Sequence, residues 1–244
     1  MLFRNIVFAA LLLGLTSGLT VSALQIFTTT PLIFSAEKYE IAEDQAPAPE
    51  NSPDETTTEH SDAHNREAWA PEDGIERAFF TTLANVLTGI GFSLLMLSVM
   101  AFNRKANAKN GLLWGLAGFA VFFIAPGLGL QPEIPGMQAA GLEGRQSWWL
   151  MTVMFSAVGL ALLVFGNKLS RFGGLILIAL PHILGAPHPE VHGFLHPDPK
   201  ATEILNDLAV NFIWATAFTA ATFWISLGAM SGYVSKRFLN GIEH

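Results

Sequence analysis

Between Leu180 and Pro199 the chain reads LPHILGAPHPEVHGFLHPDP. Four of the seven histidines (His182, His188, His192 and His196) fall there, with Glu190, Asp198 and five prolines. The stretch starts inside an apolar run and ends in a polar loop. A ring nitrogen at the edge of hydrocarbon is costly unless something ligates it or bonds to it. Imidazole and carboxylate crowded into one proline-stiffened segment suit a divalent cation such as Co, Ni, Zn or Mn, and the chain has no cysteine to offer a softer site. His188, His192 and His196 recur every fourth residue, which on a helix would align them. Pro187, Pro189, Pro197 and Pro199 interrupt any such helix, so the signal is density rather than a face. The competing explanation is a polar loop whose histidines bond to nearby backbone.

The elements that must hold these residues are membrane helices. Hydrophobic residues make up 51% of the 244 and charged residues only 14%, about half the charge of a soluble domain. The apolar residues gather in six segments near bilayer-crossing length: about Asn5–Phe27, Ala78–Phe102, Gly111–Leu130, Ser147–Gly166, Phe172–Ala186 and Leu205–Val234. The expected fold is an all-α polytopic membrane protein of about six transmembrane helices. Its expected divisions are a first helix (1–27), an acidic disordered outer loop (28–74) and a five-helix membrane core (75–244). Arg4, the first apolar core and Val21-Ser22-Ala23 also resemble a signal peptide, but the core is longer than usual and a retained helix is favoured. The loop is rich in Pro, Glu, Asp, Ser and Thr and lacks the apolar residues to fold alone. Its His60 and His64 would at most collect cations weakly.

Basic residues orient the helices. Arg4, Arg104, Lys105, Lys109, Lys168, Arg171, Lys236 and Arg237 all fall on one side if both termini are cytoplasmic. The acidic residues other than Glu243, and every histidine but His244, then lie outside or within the membrane. No nucleic-acid partner is expected from this pattern. An internal echo supports the arrangement: Pro132-Glu133-Ile134-Pro135-Gly136 and Pro189-Glu190-Val191-His192-Gly193 each follow an outward-running helix that contains a proline, Pro126 or Pro181. Segments two–three and four–five therefore read as two copies of one helical hairpin.

Segment five, about 15 residues and roughly 22 Å, is short for a hydrocarbon core of about 30 Å. Pro181 removes a ladder bond just before His182, and interrupted spans are where transporters place ion sites. Glu133 and Glu190 would flank one axis at the outer mouth, though either alone reads as a solvated acid. Asp207, with Asn211 one turn on, begins segment six; an acid there is also simply favourable with the helix dipole. Arg145, Gln146, Trp148 and Trp149 read as interface anchoring, and Asn85 and Asn103 carry no case of their own. Met96/Met100 and Met151/Met154 have helical spacing, but methionine in a span is far more often packing than a copper ligand.

Gln131-Pro132-Glu133-Ile134-Pro135-Gly136, Arg145-Gln146-x-Trp148-Trp149 and Leu180-Pro181-His182-x-x-Gly185-Ala186-Pro187-x-Pro189-Glu190 together resemble the CbtA family of predicted cobalt transporter subunits. The resemblance implies a bacterial inner-membrane protein that takes up cobalt for cobalamin synthesis, alongside CbtB, a small single-span subunit with a histidine-rich end. It carries Pro132, Glu133, Pro135, Gly136, Arg145, Trp149, Pro181, His182, Gly185, Pro187, Pro189 and Glu190 over by position. His188, His192 and His196 are less clearly part of that pattern. The metal-contact candidates are thus His182, His188, Glu190, His192, His196, Glu133 and Asp207, with the divalent ion (Co, or else Ni or Zn) as substrate and no permanent cofactor. Neither a GxxxxGK[ST] loop nor HExxH occurs, so no ATPase or zinc protease is expected. The rival is a membrane metal sensor or scaffold that binds the ion without moving it.

Overall fold

A computed structural model describes residues 2–44, 71–102 and 108–238. The elements in order are α1 (Leu2–Phe27), α2 (Thr29–Asp44), α3 (Ile75–Phe102), α4 (Ala108–Phe119), a π-helical turn (Ala120–Ile124), α5 (Ala125–Gly127), α6 (Leu142–Phe165), α7 (Lys168–Leu184) and α8 (Pro199–Phe238). The chain is an all-α polytopic membrane protein. Among the described residues, five helices are long and apolar enough to cross a membrane: Phe3–Phe27, Ile75–Ala101, Lys109–Gly127, Leu142–Phe165 and Pro199–Ser235. The sixth expected span, α7, has 17 residues and reaches only about 25 Å. It nonetheless returns the chain to the side it left, because the loops before α6 and after α7 meet each other (below).

Close approach of glycines sets the helix pairs, as expected where lipid removes any hydrophobic drive between helices. α1 and α3 run antiparallel with Gly14 against Ile90 and Gly18 against Val86; a Cβ on Gly18 would lie 2.5 Å from the Val86 Cα. α4 and α8 run antiparallel with Gly111 and Gly115 against Gly228; a Cβ on Gly115 would lie 3.1 Å from the Gly228 Cα. α6 and α7 close on each other through Gly159 and Gly174. The repeated-hairpin expectation therefore needs correction. α6 and α7 do form a packed hairpin, but α3 packs on α1 and α8, while α4 packs on α8. The physical reason is which faces carry the glycines.

The bundle core joins Ala10, Leu13, Met96, Leu97, Met100, Trp224 and Leu227. Met96 and Met100 are thus packing residues. Phe122, carried on the π-helical turn, meets Phe92 at 4.9 Å and Trp224 at 5.3 Å between centroids. Asn85 donates to Ser22 Oγ (3.0 Å) and Gln25 Oε1 (2.6 Å), a polar clasp between α1 and α3.

α8 has 40 residues and is about 60 Å long, roughly twice the hydrocarbon thickness. Its first third carries Lys200, Glu203, Asn206, Asp207 and Asn211, and Trp214 beyond them is 71% exposed. That third is the more polar part of the helix and has packing partners of its own. α2 supplies one, and here the structure departs from the expected disordered loop over 28–74. Pro31 sits in its first turn, where a missing N–H costs nothing. Leu32, Ala36 and Tyr39, spaced four and three apart, pack with Ile134, Phe194, Leu205 and Ala209. Arg77 at the start of α3 ties α2 down through Glu37 (2.5 Å) and also pairs with Asp73 (2.9 Å). Residues 45–70, with His60 and His64, lie outside the described residues.

If glycine contact sets the bundle, Gly18→Leu lowers stability by about 3 kcal/mol or abolishes folding. Gly91→Leu, where nothing lies within 4 Å of a Cβ, changes it by no more than about 0.5 kcal/mol. Thermal unfolding of purified protein in detergent separates the two.

Candidate functional site

Two helices with a buried proline in the last turn deliver the chain to the cap, the cluster that α2 and the two following loops form on the start of α8. Pro126 and Pro181 each lack an N–H, so the ladder thins one turn upstream. Their own carbonyls still close the last turn, Pro126 O accepting from Leu130 N (2.8 Å) and Pro181 O from Gly185 N (3.1 Å). From these ends run the two Pro-Glu-x-x-Gly loops noted in the sequence. Gly136 (φ 80°) and Gly193 (φ 85°) both take the left-handed backbone that favours glycine. The residues after them, Met137 and Phe194, form an isolated antiparallel bridge, and Gln138 N donates to Gly193 O at 2.9 Å. The echo in the sequence is thus a physical pairing of loops, although the helices behind them do not repeat.

The candidate residues divide into separate places. His182 is half-buried directly after Pro181 and meets the Trp148 ring edge-on at 5.8 Å. His188 and His192 are exposed and stand edge-to-face at 5.7 Å, with exposed Glu190 between them in sequence. Two imidazoles bound to one tetrahedral ion through bonds of about 2.1 Å have centroids roughly 5 Å apart, close to the 5.7 Å of this pair. His196 lies apart. Its Nδ1 accepts the backbone N–H of Asp198 (3.1 Å), which leaves the proton on Nε2, and its ring abuts Tyr39 at 6.2 Å. The cavity beside it is about 10 Å³, room for one water at most. Asp198 itself accepts from Lys200 N (2.9 Å) and caps α8 ahead of Pro199. Asp207 is exposed on α8 without an ion pair among the described residues. Among the described residues no three His, Asp or Glu side chains converge closely enough to hold an ion.

Glu133 is not a free acid. Arg145, in the first turn of α6, donates to its carboxylate at 2.5 Å. The pair lines a cavity of about 280 Å³ shared with Leu130, Gln131, Leu142, Gln146 and Trp149. Trp148 and Trp149 also part company. Trp149, 39% exposed, suits an interface anchor, whereas Trp148 is only 6% exposed. The Trp148 indole N–H donates to Pro181 O at 3.2 Å, so α6 grips α7 at the proline next to His182. Only adjacency of two tryptophans hinted at this, and adjacency does not say which one faces inward.

The fold defines a polytopic helical membrane protein whose cap carries imidazole and carboxylate. The chain belongs to the family described as "Probable cobalt transporter subunit (CbtA)", whose model matches residues 3–236. No curated protein and no solved structure matches it. Membership supports a transport role and implies at least one further subunit.

Trp148→Phe keeps the packing but loses the bond to Pro181 O, a carbonyl that Gly185 N still satisfies. It costs about 1 kcal/mol, whereas Trp148→Ala costs about 3–5 kcal/mol. Unfolding midpoints of the two variants measure the difference.

Proposed function

We propose that this chain is the membrane subunit through which cobalt, or a similar divalent ion, is taken up across a bacterial inner membrane in the service of cobalamin synthesis. The observation that carries the reading is the His188–His192 pair on the cap, set in a chain that belongs to a transporter-subunit family. Both termini are cytoplasmic in this reading, supported by Arg4, Lys109, Lys168 and Arg171 at the helix ends away from the two Pro-Glu-x-x-Gly loops. The cap then faces outward. His188 and His192 capture the ion, with Glu190 or water completing its shell.

His182 stands one step further along, at the end of a helix too short to span the hydrocarbon alone. Extended backbone at that depth is tolerated only where protein or a water-filled cavity surrounds it. A partner with a single span and a histidine-rich end, like CbtB, would supply the ligands that complete the site. Driving force comes from the membrane potential, a proton gradient or that partner, since the chain lacks a phosphate-binding loop.

The test is ⁵⁷Co²⁺ uptake into cells expressing the chain with and without such a partner. His188→Ala/His192→Ala and His182→Ala should each lower uptake at matched expression by at least the roughly tenfold that loss of even a ligand's supporting partner costs. Full uptake by both variants would make these histidines ordinary structural residues. No uptake by wild type in any arrangement would favour the sensor or scaffold.

A further inference from the structure

Arg145 sits where a cation is poorly placed. It occupies the first turn of α6, whose N-terminal end carries the positive pole of the helix dipole. What holds it there is Glu133, at 2.5 Å on the neighbouring loop. The Arg145 and Glu133 side chains are 28% and 32% exposed, and ion pairs open to water to this degree contribute little to stability. The pair also opens onto space. The adjoining cavity of about 280 Å³ opens to the surface, so a hydrated ion can reach the pair. Gln131 and Gln146 add amide oxygens that can accept from those waters.

We infer that Arg145 is the resident counter-ion of Glu133, and that a hydrated divalent cation entering the cavity takes its place on the carboxylate. The inference rests on the transport reading above and deepens it. Glu133 becomes a second, outer-sphere contact for the ion, distinct from the His188–His192 pair. Arg145 becomes a specificity-determining residue. An ion of single charge gains too little from Glu133 to evict a guanidinium, whereas a divalent ion gains about twice as much. Arg145 also keeps the carboxylate neutralised between cycles, so that the ion is not held too tightly to move on.

A structural staple and an exchanging counter-ion make opposite predictions. If the pair only pins the loop to α6, removing either partner harms uptake in the same direction. If the ion replaces Arg145, Glu133→Gln raises the KM for ⁵⁷Co²⁺ and Arg145→Gln lowers it. Each shift is expected to be roughly tenfold, the scale of one unit charge beside a divalent ion in a partly exposed site. In the double variant the Arg145→Gln gain disappears, because its target carboxylate is gone. Arg145→Met, which keeps the packing of the stem, replaces Arg145→Gln if the latter does not accumulate.

Initial rates at matched membrane content, with the subunit partner present, give both KM values. Opposite shifts support the exchange; shifts of the same sign, or no shift in either variant, overturn it while leaving transport intact. Absence of wild-type uptake defeats the transport reading itself, and this inference with it.

Discussion

A helix of forty residues cannot be hidden in a hydrocarbon layer half its length. α8 runs about 60 Å, and even a tilt of 40° leaves well over 30 Å along the membrane normal. The surplus forces a structure outside the lipid. α2 and the two Pro-Glu-x-x-Gly loops gather on the first third of α8 and bury Ala36, Ile134, Phe194, Leu205 and Ala209 among them. Where this cluster stands outside the hydrocarbon, the hydrophobic effect can drive it. Below it, lipid is as apolar as leucine, and the helices are held instead by glycine contacts and the Asn85 clasp. One long helix thus couples two regions stabilised by different physics.

The chemistry sits at the seam. Helices that carry Pro126 and Pro181 in their last turns reach that seam with one ladder bond missing upstream, while the proline carbonyls still close the last turn. Ahead of Pro126 the strain is absorbed by the π-helical turn over Ala120–Ile124, which carries Phe122 to Phe92 and Trp224. Ahead of Pro181 no such turn forms; Trp148 instead reaches across from α6 to the proline carbonyl. This difference leaves His182 beside an aromatic wall and at the end of a short helix. Beyond it the Met137–Phe194 bridge fixes both loops side by side, so that His188, Glu190 and His192 are displayed from a braced rather than a free segment.

Much of the membrane half was legible because hydropathy and charge asymmetry are summed over many residues. The short fifth segment, the proline near its end and the echo of the two Pro-Glu-x-x-Gly loops followed from local composition in the same way. α2 was missed because the acidic, proline-rich composition of the segment after Thr28 masked the Leu32, Ala36, Tyr39 stripe. The hairpin repeat was over-read because sequence shows that glycines occur, not which helix they face. The candidate site was legible as an inventory but not as geometry. Nothing in the spacing of His196 says that Asp198 N occupies its Nδ1, and nothing near Glu133 in sequence announces Arg145 twelve residues later.

The central claim is that the cap captures a divalent ion through His188 and His192. X-ray absorption on purified protein loaded with one equivalent of Co²⁺ tests it most directly, because imidazole ligands give a distinctive outer-shell signal. The account predicts two imidazoles in the wild-type shell, lost together in His188→Ala/His192→Ala and retained in His196→Ala. A shell without imidazole, or one unchanged in the double variant, would contradict it.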